Sequence, residues 1–309
     1  MTSAATGPGE WVFAGPEDDA DVRALLRTSI MPGSVEVAFT REPHLAAGSG
    51  LAGAVDRTLL HREGPLLECI GRLSVHECWR GGAAHRVGYC GDLRIRPESR
   101  RPARLIRDGF RILCEAADAV GVDGCFTSIA TDNDRARRVL ERGRRIGLPE
   151  YLPIADLVTL MIPVRARRPS RQDPAGRGEA TESELTAFLD GAARDHDLAL
   201  VWRPGRWPEL ARHGLAHGDF HVRRKAGRIE ATAALWDQRA FRQTVVHGYR
   251  GILRWSRPIA SALAWLGLAP PRPRPGSVIS QAYVVGAVAD PRLWPELLRA
   301  LRAEAARRD

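Results

Sequence analysis

The chain has 309 residues, 44% of them hydrophobic and 27% charged, with a formal net charge of +9 at pH 7. This length favours about two domains, each able to bury its own core, and the balance is that of a soluble globular protein. Nothing approaches the roughly 18 consecutive apolar residues of a membrane span; Ile259–Ala269 is too short and lies between Pro258 and Pro270.

The positive charge is almost all arginine, Lys225 being the one lysine, and acidic residues are interleaved with it throughout. That pattern argues for a mixed solvated surface and against a nucleic-acid partner. The opening MTSAATGPGE has neither a basic nor an apolar leader region, so a cytoplasmic location is expected. Cys69, Cys78, Cys90, Cys114 and Cys125 include no C-x-x-C pair. They read as buried reduced thiols, not as zinc or redox ligands.

In chain order, Asp18–Ser29 predicts a helix with acidic residues at its start and Val22, Leu25 and Leu26 on one face. Ser34–Thr40 alternates as a strand, and Leu45–Asp56 is a Gly/Ala-rich loop. A hairpin turning at Glu63–Pro65 follows, its second strand being Leu66–Trp79, which ends at Gly81–Gly82. Val87–Ile95 is a further strand, closed by Pro97. Leu105, Ile106, Phe110, Leu113, Ala117 and Val120 carry helical spacing over 103–120. Cys125–Ala130 is a short strand, and Asp132 or Asn133 caps a helix that stops at Gly143. Ile154–Val164 is expected to be the last strand of this half, and Arg165–Ala180 is a polar Pro/Gly-rich linker.

The second half begins with a helix near Glu182–Ala193 and a hairpin over Phe220–Trp236 that turns at Ala226–Gly227. Glu230–Leu235 lines up with Glu68–Leu73, and Tyr283–Pro291 has the same length as Tyr89–Pro97. Each of these last two is followed by a helix, Leu293–Ala306 in the second case, which suggests a repeat.

The segment 86–148 carries the chemistry. A strand that runs through an arginine-rich turn directly into a helix builds an anion site, because first-turn N–H groups have no partner within the helix and its dipole favours negative charge there. The order of elements around this segment resembles the GNAT family of acyl-CoA-dependent N-acetyltransferases. The family's strand would be Tyr89–Ile95, and its Q/R-x-x-G-x-G/A turn would fall on Arg100–Leu105, with Ala103 and Leu105 in place of the small residues. Asn133-Asp-Arg-Ala136 falls on the family's Asn-x-x-Ala helix start.

The resemblance implies an α/β (α+β) fold: a mixed central sheet with splayed strands, flanked by helices. It also implies acetyl-CoA as co-substrate and an amine-bearing acceptor. Leu93, Arg94 and Ile95 would hold the pantetheine and polarise the thioester; Arg100, Arg101, Ala103, Arg104 and Leu105 would surround the pyrophosphate; Asn133 would lie beside the pantetheine arm or simply cap its helix. Leu140 stands where the family often carries a tyrosine that protonates the departing thiolate, so Tyr151 is the substitute candidate. Glu77 or Asp92 is the candidate base, each equally readable as a strand-edge surface charge. Direct transfer needs no cysteine nucleophile.

His213, His217 and His221 recur every four residues, but Gly214 and Gly218 interrupt any helix that would gather them on a metal. The expectation is therefore a GNAT-like acyl-CoA-binding domain over 1–168, a linker over 169–180 and a diverged, truncated GNAT-like domain over 181–309. The expected function is acetyl transfer from acetyl-CoA to an amine in a ternary complex. The alternative is a non-catalytic acyl-CoA sensor or protein-interaction module, which the losses at Ala103, Leu105 and Leu140 favour.

Overall fold

The structure, a computed structural model, describes residues 9–51, 53, 55–131, 133–164, 180–256 and 272–308. Its elements are β1 (Glu10–Phe13), α1 (Asp19–Thr28), β2 (Val35–Thr40), β3 (Val55–Glu63), β4 (Leu66–Arg80), β5 (Ala83–Ile95), α2 (Pro102–Asp118), β6 (Gly124–Phe126) and α3 (Asp134–Glu141). There follow α4 (Glu182–Ala193), α5 (Trp207–Arg212), β7 (Phe220–Lys225), β8 (Arg228–Trp236), β9 (Gln243–Tyr249), α6 (Ile252–Trp255), β10 (Tyr283–Ala289) and α7 (Trp294–Arg308). No helix among the described residues is long and apolar enough to cross a membrane. The chain divides into two units: the described parts of 1–29, 44–78 and 84–159, and those of 30–43, 79–83 and 160–309.

The first unit is a five-stranded sheet in the order β1-β3-β4-β5-β6. The β1–β3 and β3–β4 pairs are antiparallel and β5–β6 is parallel, so the sheet is mixed, as expected. Gly81 and Gly82, at φ 57° and 78°, form the two-residue turn of the β4–β5 hairpin, where both central residues need positive φ. Alternation along β3 sends Leu59 to one face and Leu60 to the other. Leu59 joins Leu73, Val75, Cys90 and the Ile106, Phe110, Leu113 and Ala117 stripe of α2. Leu60 joins Ile70 and the Val22, Leu25 and Leu26 stripe of α1. Each large apolar side chain so buried contributes roughly 1.5–3 kcal/mol, which fixes one helix on each face. Gly109 of α2 is a packing glycine: a Cβ there would sit 2.8 Å from the Trp11 ring.

The strand expected over Ile154–Val164 does not form. Residues 151–164 have no regular structure, and Leu157, Val158 and Leu160 are 80% or more exposed. Pro163 removes a ladder donor within it, Pro153 stands just before it, and no described strand offers a partner. Cys125–Ala130 shortens to Gly124–Phe126, and the loop expected over Leu45–Asp56 opens with a 3₁₀ turn at Leu45–Gly48. The linker over 165–179, Asp132 as a cap and the Ile259–Ala269 segment lie outside the described residues.

The second unit holds a three-stranded antiparallel sheet in the order β10-β8-β7 and a two-stranded antiparallel sheet of β2 and β9. The hairpin turns at Ala226 and Gly227, φ 48° and 80°, as expected. A capping box opens α4: the Thr181 hydroxyl accepts from the Glu184 amide at 3.2 Å, and the Glu184 carboxylate accepts from the Thr181 amide at 2.9 Å. Leu297 and Leu301 of α7 pack on Ala233 and Leu235. The turn residues 79–83 join this unit through Trp79 N–H to Ala199 O and Leu198 N–H to Trp79 O, both 2.8 Å. β2 joins it by its ladder to β9, reinforced by Gln243, whose Oε1 accepts from the Thr40 hydroxyl and the Glu42 amide at 2.9 Å each.

Candidate functional site

β5 pairs with β6 only at Val87↔Gly124, Gly88↔Cys125 and Tyr89↔Phe126. Beyond that point β5 runs on to Ile95, whereas residues 127–130 leave the sheet. The two chains therefore diverge from an apex at Tyr89 and Phe126. Along 90–95 the edge of β5 that faced β6 has no further ladder pair with it, and buried peptide groups there call for hydrogen-bond partners. Parallel strands that diverge at their carboxyl ends, each leading to a helix start, form the kind of crevice in which α/β sheets bind ligands.

Asp92 sits inside this stretch at φ 51°. Side chains three apart on a regular strand face opposite ways, yet Cys90 and Leu93 both pack into the α2-side cluster. The left-handed residue is a bulge that re-phases the strand, a conformation aspartate tolerates better than most side chains. Its carboxylate lies 3.5 Å from Arg72 Nη1, and Arg72 also holds Asp56, with Nε to Oδ1 at 2.5 Å. Arg94 folds back so that Nη1 donates to the Leu93 carbonyl at 2.8 Å, and its buried Nε has no protein partner among the described residues. That orphan donor lies on β5 beyond its last pair with β6 and suits an acceptor-rich ligand.

At the open end, Ser99 N–H returns to Arg96 O at 3.0 Å, and Arg101 leads into α2 with Pro102 as its first residue. Arg104 and Leu105 both donate to Arg101 O at 3.1 Å, and Pro102 has no N–H. Ala103 is thus the first-turn amide left without a backbone acceptor among the described residues. Arg100, Arg101 and Arg104 are exposed. The Arg104 Nε lies 3.3 Å from Asp108 Oδ2, and Arg107 shares that carboxylate at 2.8 Å. Leu105 is 5% exposed, its side chain turned into the core, whereas the small Ala103 side chain is at the surface. The bulk at Leu105 does not obstruct the turn.

Asn133 follows the diverging segment as the cap of α3, its Oδ1 accepting from the Ala136 amide at 3.1 Å. Leu140 of the same helix is 6% exposed and part of the α2-side core. Tyr151, the substitute acid candidate, packs edge-on against Phe110 at 5.7 Å, and burial pushes its phenol pKa up. It also lines a cleft of about 730 Å³ with Glu141, Arg142, Arg144, Arg145 and Glu150. Glu77 is exposed near the hairpin turn. Counting outward from that turn, Asp92 lies roughly 20 Å further along the hairpin, so the two base candidates do not meet.

The other groups have separate occupations. His213 Nδ1 lies 2.8 Å from Glu209 O, His217 packs edge-on to Trp207, and His221 pairs with Glu304. The hydrogen bond with Cys125 and burial hold the Cys90 thiol protonated; the same bond lowers the Cys125 pKa. Burial raises Cys69 to about 12 and Cys114 to about 11.

No family model and no curated protein matches the chain. Among solved structures it is similar to an acetyltransferase from Trypanosoma brucei, at 17% identity over 49% of this chain and 99% of that one, with TM-score 0.36. It is similar to a putative acetyltransferase from Agrobacterium tumefaciens, at 14% identity over 48% and 99%, TM-score 0.37. An aminoglycoside antibiotic 6'-N-acetyltransferase from Acinetobacter haemolyticus aligns at 15% identity over 50% and 99%, TM-score 0.34. About half of this chain is similar to a whole acetyltransferase.

Sequence reasoning placed the turn and the Asn133 cap but missed what lies at the apex. Tyr89 Oη is 2.8 Å from Ser128 Oγ, and the Tyr89 and Phe126 rings are 5.0 Å apart. The signal was Gly91, two residues after Tyr89: a Cβ at Gly91 would lie 2.6 Å from the Tyr89 ring.

Proposed function

We propose that the first unit binds acetyl-CoA in the split between β5 and β6 and transfers the acetyl group to an amine by direct attack in a ternary complex. The observation that carries this reading is the split itself: β5 runs on to Ile95 past its last β6 pair at Tyr89, turns left-handed at Asp92, and opens onto an arginine-flanked helix start. The pantetheine amides pair with the Leu93–Ile95 backbone and run past Asn133. Arg100, Arg101 and Arg104 meet the pyrophosphate by charge-assisted hydrogen bonds, with the Ala103 N–H and the Leu105 end of the turn behind them. Glu77 or Asp92 serves as base toward the amine. Calorimetry of the full chain with CoA and acetyl-CoA tests it; no heat and no thermal shift at millimolar ligand would defeat it.

A second reading, an acyl-CoA sensor without turnover, is favoured by one observation: Leu140 fills the core where an acid would stand. Thioester binding without thiol release on a panel of small amines would select that reading.

We also propose that the second unit is a diverged copy of the first. The equal-length alignment of Tyr283–Pro291 with Tyr89–Pro97 puts Gly286 on Asp92, and each is the positive-φ residue of its strand, at 54° and 51°. β10 also shifts register there, between Val285 and Val288. In both units the bulged strand lies beside the second strand of a hairpin and precedes a helix.

A further inference from the structure

We infer that Tyr89 is the proton donor to the departing thiolate in the β5–β6 split, with Ser128 as its positioning residue; this rests on the acyl-CoA reading of that split. The last β5–β6 pair is Tyr89↔Phe126, and the Tyr89 hydroxyl reaches Ser128 Oγ at 2.8 Å, two residues past that pair on the diverging chain. The two hydroxyls therefore close the apex. The Tyr89 ring is braced by Phe126 at 5.0 Å and lies along β5 over Gly91, where a Cβ would stand 2.6 Å from Cε1 and 3.3 Å from the phenol oxygen. Any larger residue at 91 would push the ring aside. The bulge at Asp92 follows directly and re-aims the peptide groups next to the phenol.

The geometry of the ligand leads to the same atom. With its phosphates at the start of α2, an acyl chain lying along β5 from Ile95 to Gly91 covers four residues, about 13 Å. Its reactive end then meets the Tyr89 hydroxyl. The other tyrosine candidate does not compete there: Tyr151 belongs to the α2-side cluster, opposite the face that Tyr89 and Gly91 share.

The step balances without a further reactant. The amine nitrogen bonds to the thioester carbon, and the C–S bond breaks with its electron pair going to sulfur. The Tyr89 O–H gives its proton to that sulfur while the Ser128 O–H donates to the phenol oxygen. The base takes the proton shed by the new amide nitrogen and returns it through solvent to the phenolate, leaving the free thiol, the amide, the starting phenol and the starting carboxylate.

The test uses the full chain, acetyl-CoA as donor and hydroxylamine as a small nucleophile, with thiol release followed in single turnover and CoA affinity by calorimetry. Tyr89→Phe keeps the ring packing; it is expected to lower the rate by about 100-fold and to leave the CoA Kd within about twofold. Ser128→Ala is expected to cost a smaller factor, about tenfold, with recovery in Ser128→Thr. Gly91→Ala is expected to slow the wild type but not Tyr89→Phe, since both act through one ring. A Tyr89→Phe protein that binds CoA and releases thiol at the wild-type rate overturns the inference alone. A wild type that fails to bind CoA defeats the split as an acyl-CoA site, and the inference falls with it. CoA binding with no thiol release by the wild type removes the reaction and overturns the donor role.

Discussion

Replacing Glu304 with glutamine tests how charge is buried in the second unit. The Glu304 side chain is 2% exposed and His221 4%, and a carboxylate has no hydrogen to give, so the His221 Nε2–H donates to Oε2 while Arg308 donates to Oε1. Burial alone would raise the pKa of Glu304, but the bonds and charges of His221 and Arg308 outweigh it and hold the group at about 2, below its ordinary 4.5. At 1.36 kcal/mol for each pH unit, that difference is on the order of 3 kcal/mol of stability. A depressed carboxylate contributes fully above 4.5 and loses its contribution as the pH falls toward 2, so by pH 3 roughly half or less remains. Glu304→Gln is therefore expected to cost about 2–3 kcal/mol at pH 7, read from urea denaturation by circular dichroism, and the gap to wild type should shrink below half of that at pH 3. Measuring the difference between the two proteins cancels the other carboxylates that titrate in this range. Equal stability at pH 7, or a gap that persists unchanged at pH 3, would refute the reasoning.

Arg100→Ala and Arg101→Ala are each expected to weaken CoA binding by about 3–10-fold, with the loss diminishing at high salt; unchanged calorimetric affinity would mean the phosphates lie elsewhere. Asp190 Oδ1 accepts from the Trp79 indole N–H at 3.1 Å and the Trp202 amide at 2.9 Å, so Asp190→Ala should destabilise by about 1–3 kcal/mol. A thermal midpoint equal to wild type would show that water replaces the carboxylate without cost. Gly53 has φ 87°, and a Cβ there would stand 1.9 Å from the Val75 carbonyl oxygen, so Gly53→Ala should cost at least about 1–3 kcal/mol; a melting curve that does not move would contradict that geometry.

Sequence signals were legible where a local rule decides the structure. The stripe from Leu105 to Ala117 gave α2, and paired glycines gave the β4–β5 turn. Signals failed where the partner lies far along the chain. Nothing local in Val35–Thr40 says that it pairs with Gln243–Tyr249, a match some two hundred residues away that depends on ladder and Gln243 contacts. The 151–164 segment failed for the opposite reason: its apolar residues promise a strand, but a strand needs a neighbour and Pro163 removes a donor within it. The site was legible as a turn and a cap, because helix starts have sequence signatures. Its apex was not, because Tyr89 and Ser128 meet through the pairing of two strands whose divergence point is set by tertiary packing.

The proposed duplication also bears on why the chain would hold one acyl site and not two. A strand bulge at Asp92 or Gly286 re-aims peptide groups, but a cleft also requires a parallel neighbour that pairs and then leaves. In the first unit β6 supplies three such pairs before it departs. In the second unit β10 pairs with β8 alone among the described strands, and the turn after Ala289 carries Arg292 where the first unit has a cluster of arginines before α2. Gly286 occupies its bulge for a packing reason: a Cβ there would meet the Phe220 ring at 2.5 Å. The same backbone device thus packs the core in the second unit and borders a crevice in the first, and what separates the two settings is β6, three residues long.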